Sequence, residues 1–159
     1  MIALFAEAFV ANACLFVPVW LLATALKKVS LVDVIWGPSF AITLTVGVLN
    51  APTLTTAQLL LASLIYAWAL RLALHLLPRA LHDGEDKRYT AMREGRSPAF
   101  FVLWSLVSIF GLQILISLSL STPFMFALEG DEPLSILLYL GASIAALGLV
   151  YETVADYQL

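Results

Sequence analysis

The sequence predicts an all-α, polytopic membrane helical bundle, and three observations lead there. Of its 159 residues, 62% are hydrophobic and only 12% charged, against about a quarter charged in a soluble domain. Five apolar stretches, at 2–26, 31–50, 56–78, 99–121 and 134–157, are each close to the roughly 20 residues that cross a bilayer as a helix. Every Lys and Arg except Arg71 falls in the first or third connection between those stretches. A path of about five transmembrane helices therefore has its N-terminus outside, with both basic loops and the C-terminus cytoplasmic. The whole of 1–159 reads as one integral-membrane domain. Cys14 is the only cysteine, so an internal disulfide is excluded, and no Cys/His spacing suggests a metal site. One mixed-charge loop is no footprint for nucleic acid.

The first stretch contains Ala23-Thr24-Ala25, a small-residue run of the kind signal peptidases cut. No cation precedes it, and its apolar run is long for a signal core, so it is expected to be a retained helix, with Glu7 reaching the outer interface. In the second stretch Asp33, Trp36, Gly37 and Phe40 share a face, and Pro38 loosens the backbone ladder. The third carries Trp68, Arg71, His75, Arg79 and His82 at helical i,i+3/i+4 spacing. Arg71 precedes Pro78 by seven residues, about 10 Å of helix below the cytoplasmic surface.

The polar segment 79–98 is a cytoplasmic loop. Asp83, Glu85 and Asp86 lead it, Arg93 and Arg96 end it, and Gly84 and Gly95 bracket it. Acids first and bases last complement a helix dipole, and Asp83–Lys87 is a favourable i,i+4 pair, so a short helix is expected. A solvated connector is the even alternative. In the fourth stretch Ser105, Ser108 and Gln113 are expected to bond neighbouring helices. The connection after it holds only acids, Glu129, Asp131 and Glu132. On the fifth, Gly141, Ala145, Gly148, Glu152 and Asp156 share a face. Small residues at that spacing admit close helix approach, so the two acids are expected to point into the bundle.

Ionisable groups within a span cost roughly 2.5–3.5 kcal/mol each on insertion scales, so each needs a reason. Asp33, Arg71, His75, Glu152 and Asp156 all fall in the cytoplasmic half of the predicted bundle. Their common depth points to a shared polar cavity open to the cytoplasm. The plainer alternative is a structural ion pair between Arg71 and Asp33 or Glu152, with the arginine stem snorkelling.

The stretches "SLVDVIWGPSFA", "RLALHLLPRALHDGEDKRYTAMRE" and "YETVADYQL" together resemble a bacterial membrane family of unknown function. That family groups with the steroid 5-alpha-reductase C-terminal domain, alongside sterol reductases and isoprenylcysteine carboxyl methyltransferases. The resemblance runs from about Val29 to Leu159. It implies an enzyme of the bacterial inner membrane that moves a hydride from cytoplasmic NADPH to a carbon–carbon double bond of a steroid-like or isoprenoid lipid. Glu152 and Asp156 match the spacing of a cofactor-holding pair in steroid reductases, and Arg71 resembles a pocket arginine of that group. Arg79 and Arg88 are the loop cations available to the cofactor. Arg71 and His75 would be catalytic, His75 as proton donor, because imidazole exchanges protons near neutral pH.

Asp33, Trp36 and Trp68 would line the substrate pocket. Trp36 stands where steroid reductases have a substrate-contacting glutamate and Trp68 where they have a catalytic tyrosine, which argues against a 3-oxo-steroid. Members of the group continue past the last helix into a basic, aromatic segment, so the sequence is expected to be the N-terminal portion of a longer reductase. Two alternatives stand beside this: an S-adenosylmethionine-dependent methyltransferase of the isoprenylcysteine type, and a non-catalytic membrane scaffold or transporter fragment. The partners expected are a lipid or isoprenoid small molecule and the surrounding membrane lipids.

Overall fold

The computed structural model describes residues 1–130 and 135–158. All regular elements among these residues are helical. In order they are α1 (Ile2–Leu26), α2 (Leu31–Val34), α3 (Trp36–Asn50), α4 (Thr56–His82), α5 (Lys87–Arg93), α6 (Pro98–Glu129) and α7 (Ile136–Gln158). Helices α1, α4, α6 and α7 are long and apolar enough to cross a membrane. They mark the chain as an integral membrane protein.

The second expected span is not one helix. It breaks at Ile35, whose φ of −87° and ψ of 0° leave the helical range, and the chain restarts as α3. Pro38 explains the position. It lacks the N–H that would bond the Val34 carbonyl, and its ring would strike that carbonyl; in the first turn of a new helix neither matters. Pro38 therefore divides the segment where a loosened ladder was expected. The 15 residues of α3 rise about 22 Å, short of the roughly 30 Å of a hydrocarbon core.

The other boundaries have local causes. Thr55 and Gln58 form a capping box before α4: the Thr55 hydroxyl accepts from the Gln58 amide at 3.2 Å, and the Thr55 amide donates to Gln58 Oε1 at 2.8 Å. Helix α4 continues past Pro78 to His82, longer than expected. The expected loop helix forms as α5, but its N-cap is Asp86, whose carboxylate accepts from the Arg88 amide at 2.8 Å. Asp83 instead closes α4 and lies 3.8 Å from Arg79 Nε, in place of the expected Asp83–Lys87 pair. Helix α6 starts with Ser97 as cap and Pro98 in its first turn, and a π turn runs through Leu106–Gly111. It then passes Pro123 and reaches Glu129. Of the expected acidic connection, Asp131 and Glu132 lie outside the described residues.

The core joins α1, α3 and α6. Phe16 and Phe110 meet edge to face at 6.4 Å. Buried Asn12 donates to Thr43 Oγ1 and to the Ala8 carbonyl, each at 2.9 Å. Ser105 does bond a neighbouring helix, accepting from Trp20 Nε1 at 3.2 Å. Between apolar helices in lipid the hydrophobic effect is absent, so close packing and such bonds, about 0.6 kcal/mol each, hold the bundle. Helix α3 crosses α4 closely: a Cβ at Gly37 would lie 2.7 Å from the Ala69 carbonyl oxygen. At the other end, Gln58 Nε2 donates to the carbonyls of Ala127 and Leu128 at 3.2 Å and of Gly130 at 2.7 Å. It thereby satisfies the end of α6.

Helix α7 is different, because none of its described residues is buried. It packs chiefly on α4. The expected close approach along its small-residue face does not occur: a Cβ at Gly141 or Gly148 would meet nothing within 4 Å. Polar side chains join the two helices, Arg71 and His75 from α4 and Glu152 and Asp156 from α7.

Candidate functional site

Two polar clusters and one apolar cavity arise from this packing. The first cluster joins α4 and α7. Arg71 and His75 are one turn apart on α4, and Glu152 and Asp156 are one turn apart on α7. Arg71 forks between the two acids, one terminal nitrogen pairing with Glu152 and the other with Asp156. His75 Nε2 lies 3.7 Å from the same Asp156 oxygen. The Arg71 side chain is only 15% exposed, whereas Glu152 is 41% exposed and open toward the cavity beside it. Arg71 Nε has no hydrogen-bond partner among the described residues. The cluster thus sets one guanidinium against two carboxylates, with an imidazole at its edge.

The cavity opens beside Glu152. It has a volume of about 610 Å³ and is lined by Trp36 and Phe40 of α3, Trp68 of α4, Phe124 of α6, and Gly148 and Glu152 of α7, among others. Trp36, Phe40 and Trp68 form a chain of edge-to-face contacts at 5.2 and 5.3 Å, a favoured aromatic arrangement that fixes their rings. Glu152 is the sole charged residue of the lining. The small residues of α7 that do not admit a helix leave this space, with Ala145 and Gly148 forming part of its wall.

Asp33 does not share that wall. The break at Ile35 turns α2 away from the face of Trp36, and Asp33 joins the loop. It accepts from Tyr89 Oη at 2.8 Å and from Arg88 Nη2 at 3.1 Å. Arg88 also bonds Asp86, which holds the Asp86 carboxyl below its ordinary range. Glu85 accepts from the amides of Val29 at 2.6 Å and Ser30 at 3.0 Å, tying the loop to the start of α2. A cleft of about 470 Å³ lies here, with Arg79, Lys87 and Arg88 set against Asp33, Asp83, Glu85 and Asp86.

The expected shared cavity is therefore two sites. Arg71, His75, Glu152 and Asp156 come together beside Trp36 and Trp68, while Asp33 and Arg88 belong to the loop cleft and Arg79 lies exposed at its rim. Sequence reasoning missed Glu85 and Tyr89, although both stand in the Gly-Glu-Asp-x-Arg-Tyr run that carries the resemblance.

A family profile described as "Protein of unknown function (DUF1295)" matches residues 19–159. The chain belongs to that family. No curated protein and no solved structure matches it. The DUF1295 match begins inside α1 and takes in both polar clusters and the apolar cavity.

A phosphorylated nucleotide fits these sites only in part. Glu152 offers acceptor oxygens to hydroxyl or amide donors. Phosphates need several uncompensated cations or backbone donors. Arg71 is engaged by two acids, and the three cations of the loop cleft face four carboxylates. The described residues do not provide a phosphate site for such a nucleotide in either place.

Proposed function

We propose that this chain forms the lipid-binding core of a membrane-embedded reductase acting on a carbon–carbon double bond of a steroid-like or isoprenoid lipid. The single observation that carries the reading is the aromatic cavity of about 610 Å³ ending at Glu152, which is itself paired to Arg71. An apolar space with one polar end suits an amphipathic lipid. The Trp36–Phe40–Trp68 wall would hold the hydrocarbon, and Glu152 would accept a bond from a hydroxyl or other donor at the lipid's polar end. Arg71 keeps Glu152 and Asp156 in register, and His75, one turn beyond Arg71 and 3.7 Å from Asp156, is the group proposed as the proton source.

NADPH as the hydride source rests on the resemblance. The residues above would meet only its ribose and amide groups, so no hydride step is derived. In this reading five segments cross a bacterial inner membrane, with α2 and α3 as the broken second crossing, the N-terminus outside and the basic loops cytoplasmic.

The excess of carboxylate at the cluster favours a second reading. One cation against two acids suits a positively charged cofactor, and S-adenosylmethionine carries a sulfonium and an amine without phosphates. The reaction would then be methyl transfer to a lipid.

Intrinsic tryptophan fluorescence of the purified chain in nanodiscs tests the shared part of both readings. A polyprenol or a sterol is expected to change the emission, and Trp36→Phe with Trp68→Phe to remove the change. No response to either lipid class would overturn the proposal. Thermal shifts with NADPH and with S-adenosylmethionine then separate the two cofactors. Lipid binding with loss of NADPH absorbance supports reduction, and a shift with S-adenosylmethionine alone sinks it.

A further inference from the structure

A third cavity lies on a different side of the bundle, between the end of α1 and the start of α6. Its volume is about 300 Å³, and its lining includes Lys27, Arg93 and Arg96 but no carboxylate. This contrasts with the mixed cleft around Asp33, where acids outnumber bases. The nearest acid pairing is Glu85, 3.4 Å from Arg93. Three cations against that single acid leave the mouth of the cavity positive. We propose that this pocket binds the phosphate headgroup of an anionic phospholipid, with Lys27, Arg93 and Arg96 as its cations.

The cations are held in place. Arg93 lies over the Phe101 ring at 5.0 Å and Arg96 over Trp104 at 4.3 Å. Stacking on the aromatic faces restrains each guanidinium while leaving N–H donors at its edge. Arg93 also donates to the Lys27 carbonyl at 3.2 Å, which ties the loop to the end of α1. Lys27 itself has φ 55° and ψ 34°, the only non-glycine residue at positive φ in the described chain. Glycine is the residue that this cap position favours. A lysine kept there at a backbone cost points to a use for its ammonium group.

The surroundings favour a lipid over a free phosphate ion. Ala23, Phe101 and Val102 form an apolar floor to the pocket. From it, the exposed side chains of Leu22 on α1 and Leu103 on α6 continue along the lipid-facing surface. Phosphate at the cations and acyl chains along those helices would match the order of polar and apolar layers in a bilayer leaflet. Basic pockets between helices at this depth are suited to anionic headgroups. The site is independent of the cavity beside Glu152, so its failure would leave the proposed function untouched.

Native mass spectrometry of the full chain, released from detergent with phosphatidylglycerol or phosphatidylcholine, tests the assignment. Wild type is expected to retain phosphatidylglycerol preferentially. Lys27→Gln and Arg96→Gln are each expected to weaken that retention about fivefold. Lys87→Gln, an exposed loop cation outside the pocket, serves as the control for general surface charge. Lys27→Gly is expected to raise the melting temperature in phosphatidylcholine while losing the preference, which separates the backbone role from the charge. Equal retention of both lipids by wild type overturns the proposal. So does a loss in Lys87→Gln equal to that in the pocket variants. Stabilisation by glycerol 3-phosphate alone, without lipid retention, would assign the pocket to a soluble phosphate and overturn the lipid.

Discussion

Gly37 and Gly141 show how much a single hydrogen can decide. A methyl at Gly37 would come within 2.7 Å of the Ala69 carbonyl oxygen, a backbone atom that moves only if two helices separate. Gly37→Ala is expected to destabilise the bundle by about 1–3 kcal/mol, as overpacking does. Gly141 has open space, so Gly141→Ala is expected to be neutral or to stabilise α7 by up to about 1 kcal/mol. Thermal unfolding of both variants in one detergent checks the pair, and equal effects would refute the assigned crossing. Tyr89 makes a second prediction at this scale. Burial pushes its phenol above the ordinary 10.0, and the Asp33 carboxylate beside it acts in the same direction. An unfolded tyrosine ionises near its ordinary value while the folded one resists. The contribution to stability is therefore full below pH 10 and is lost as pH rises toward the folded value. Phenolate absorbance of the folded chain should contain a late-titrating phase from Tyr89, and Tyr89→Phe should remove it.

Helix α7 is the long helix with no buried residue among those described. Its attachment runs through Arg71 to Glu152 and Asp156. Removing the arginine leaves two carboxylates facing each other. A fully buried pair broken in this way costs about 3–5 kcal/mol. Here Glu152 is 41% exposed, which reduces the expected loss to about 1–3 kcal/mol. Hydrogen exchange of Arg71→Ala should accelerate over 136–158 and leave α1, α3 and α6 near wild type. Uniform acceleration would mean that the cluster supports the whole bundle. The loop and α2 form the opposite case, a firm attachment of short elements, because Glu85 takes two backbone amides and Asp33 takes Tyr89 and Arg88.

For the molecule as a whole, the distribution of cations carries the orientation. With Cys14→Ala as background, a cysteine at Lys28, before α2, should react with an impermeant thiol reagent only from the cytoplasmic side. A cysteine at Thr53 should react only from the outer side. Reaction of both from one side would overturn the proposed five crossings, since α3 must then turn back without crossing. The short span of α3, about 22 Å, makes this the critical test of topology.

Composition alone determined that the chain is helical and membrane-embedded, because 62% hydrophobic residues in long runs leave few side chains that water could solvate. Spacing placed Arg71 with His75, and Glu152 with Asp156, on common helical faces, since the period of a helix is fixed by its backbone. Neither could say which faces would meet. The Ile35 break was only half legible: Pro38 announced a disturbance, but the rotation that separates Asp33 from Trp36 comes from how α2 docks under the loop. The small-residue face of α7 read as a packing seam, and its Ala145 and Gly148 instead line a cavity, because small residues permit close approach without requiring it. The Val29 amide that Glu85 takes, the Asp33 that Tyr89 bonds and the Arg93 that reaches the Lys27 carbonyl each lie more than 50 residues from their partner along the chain. Only tertiary packing decides contacts at that separation, since no local period links their positions.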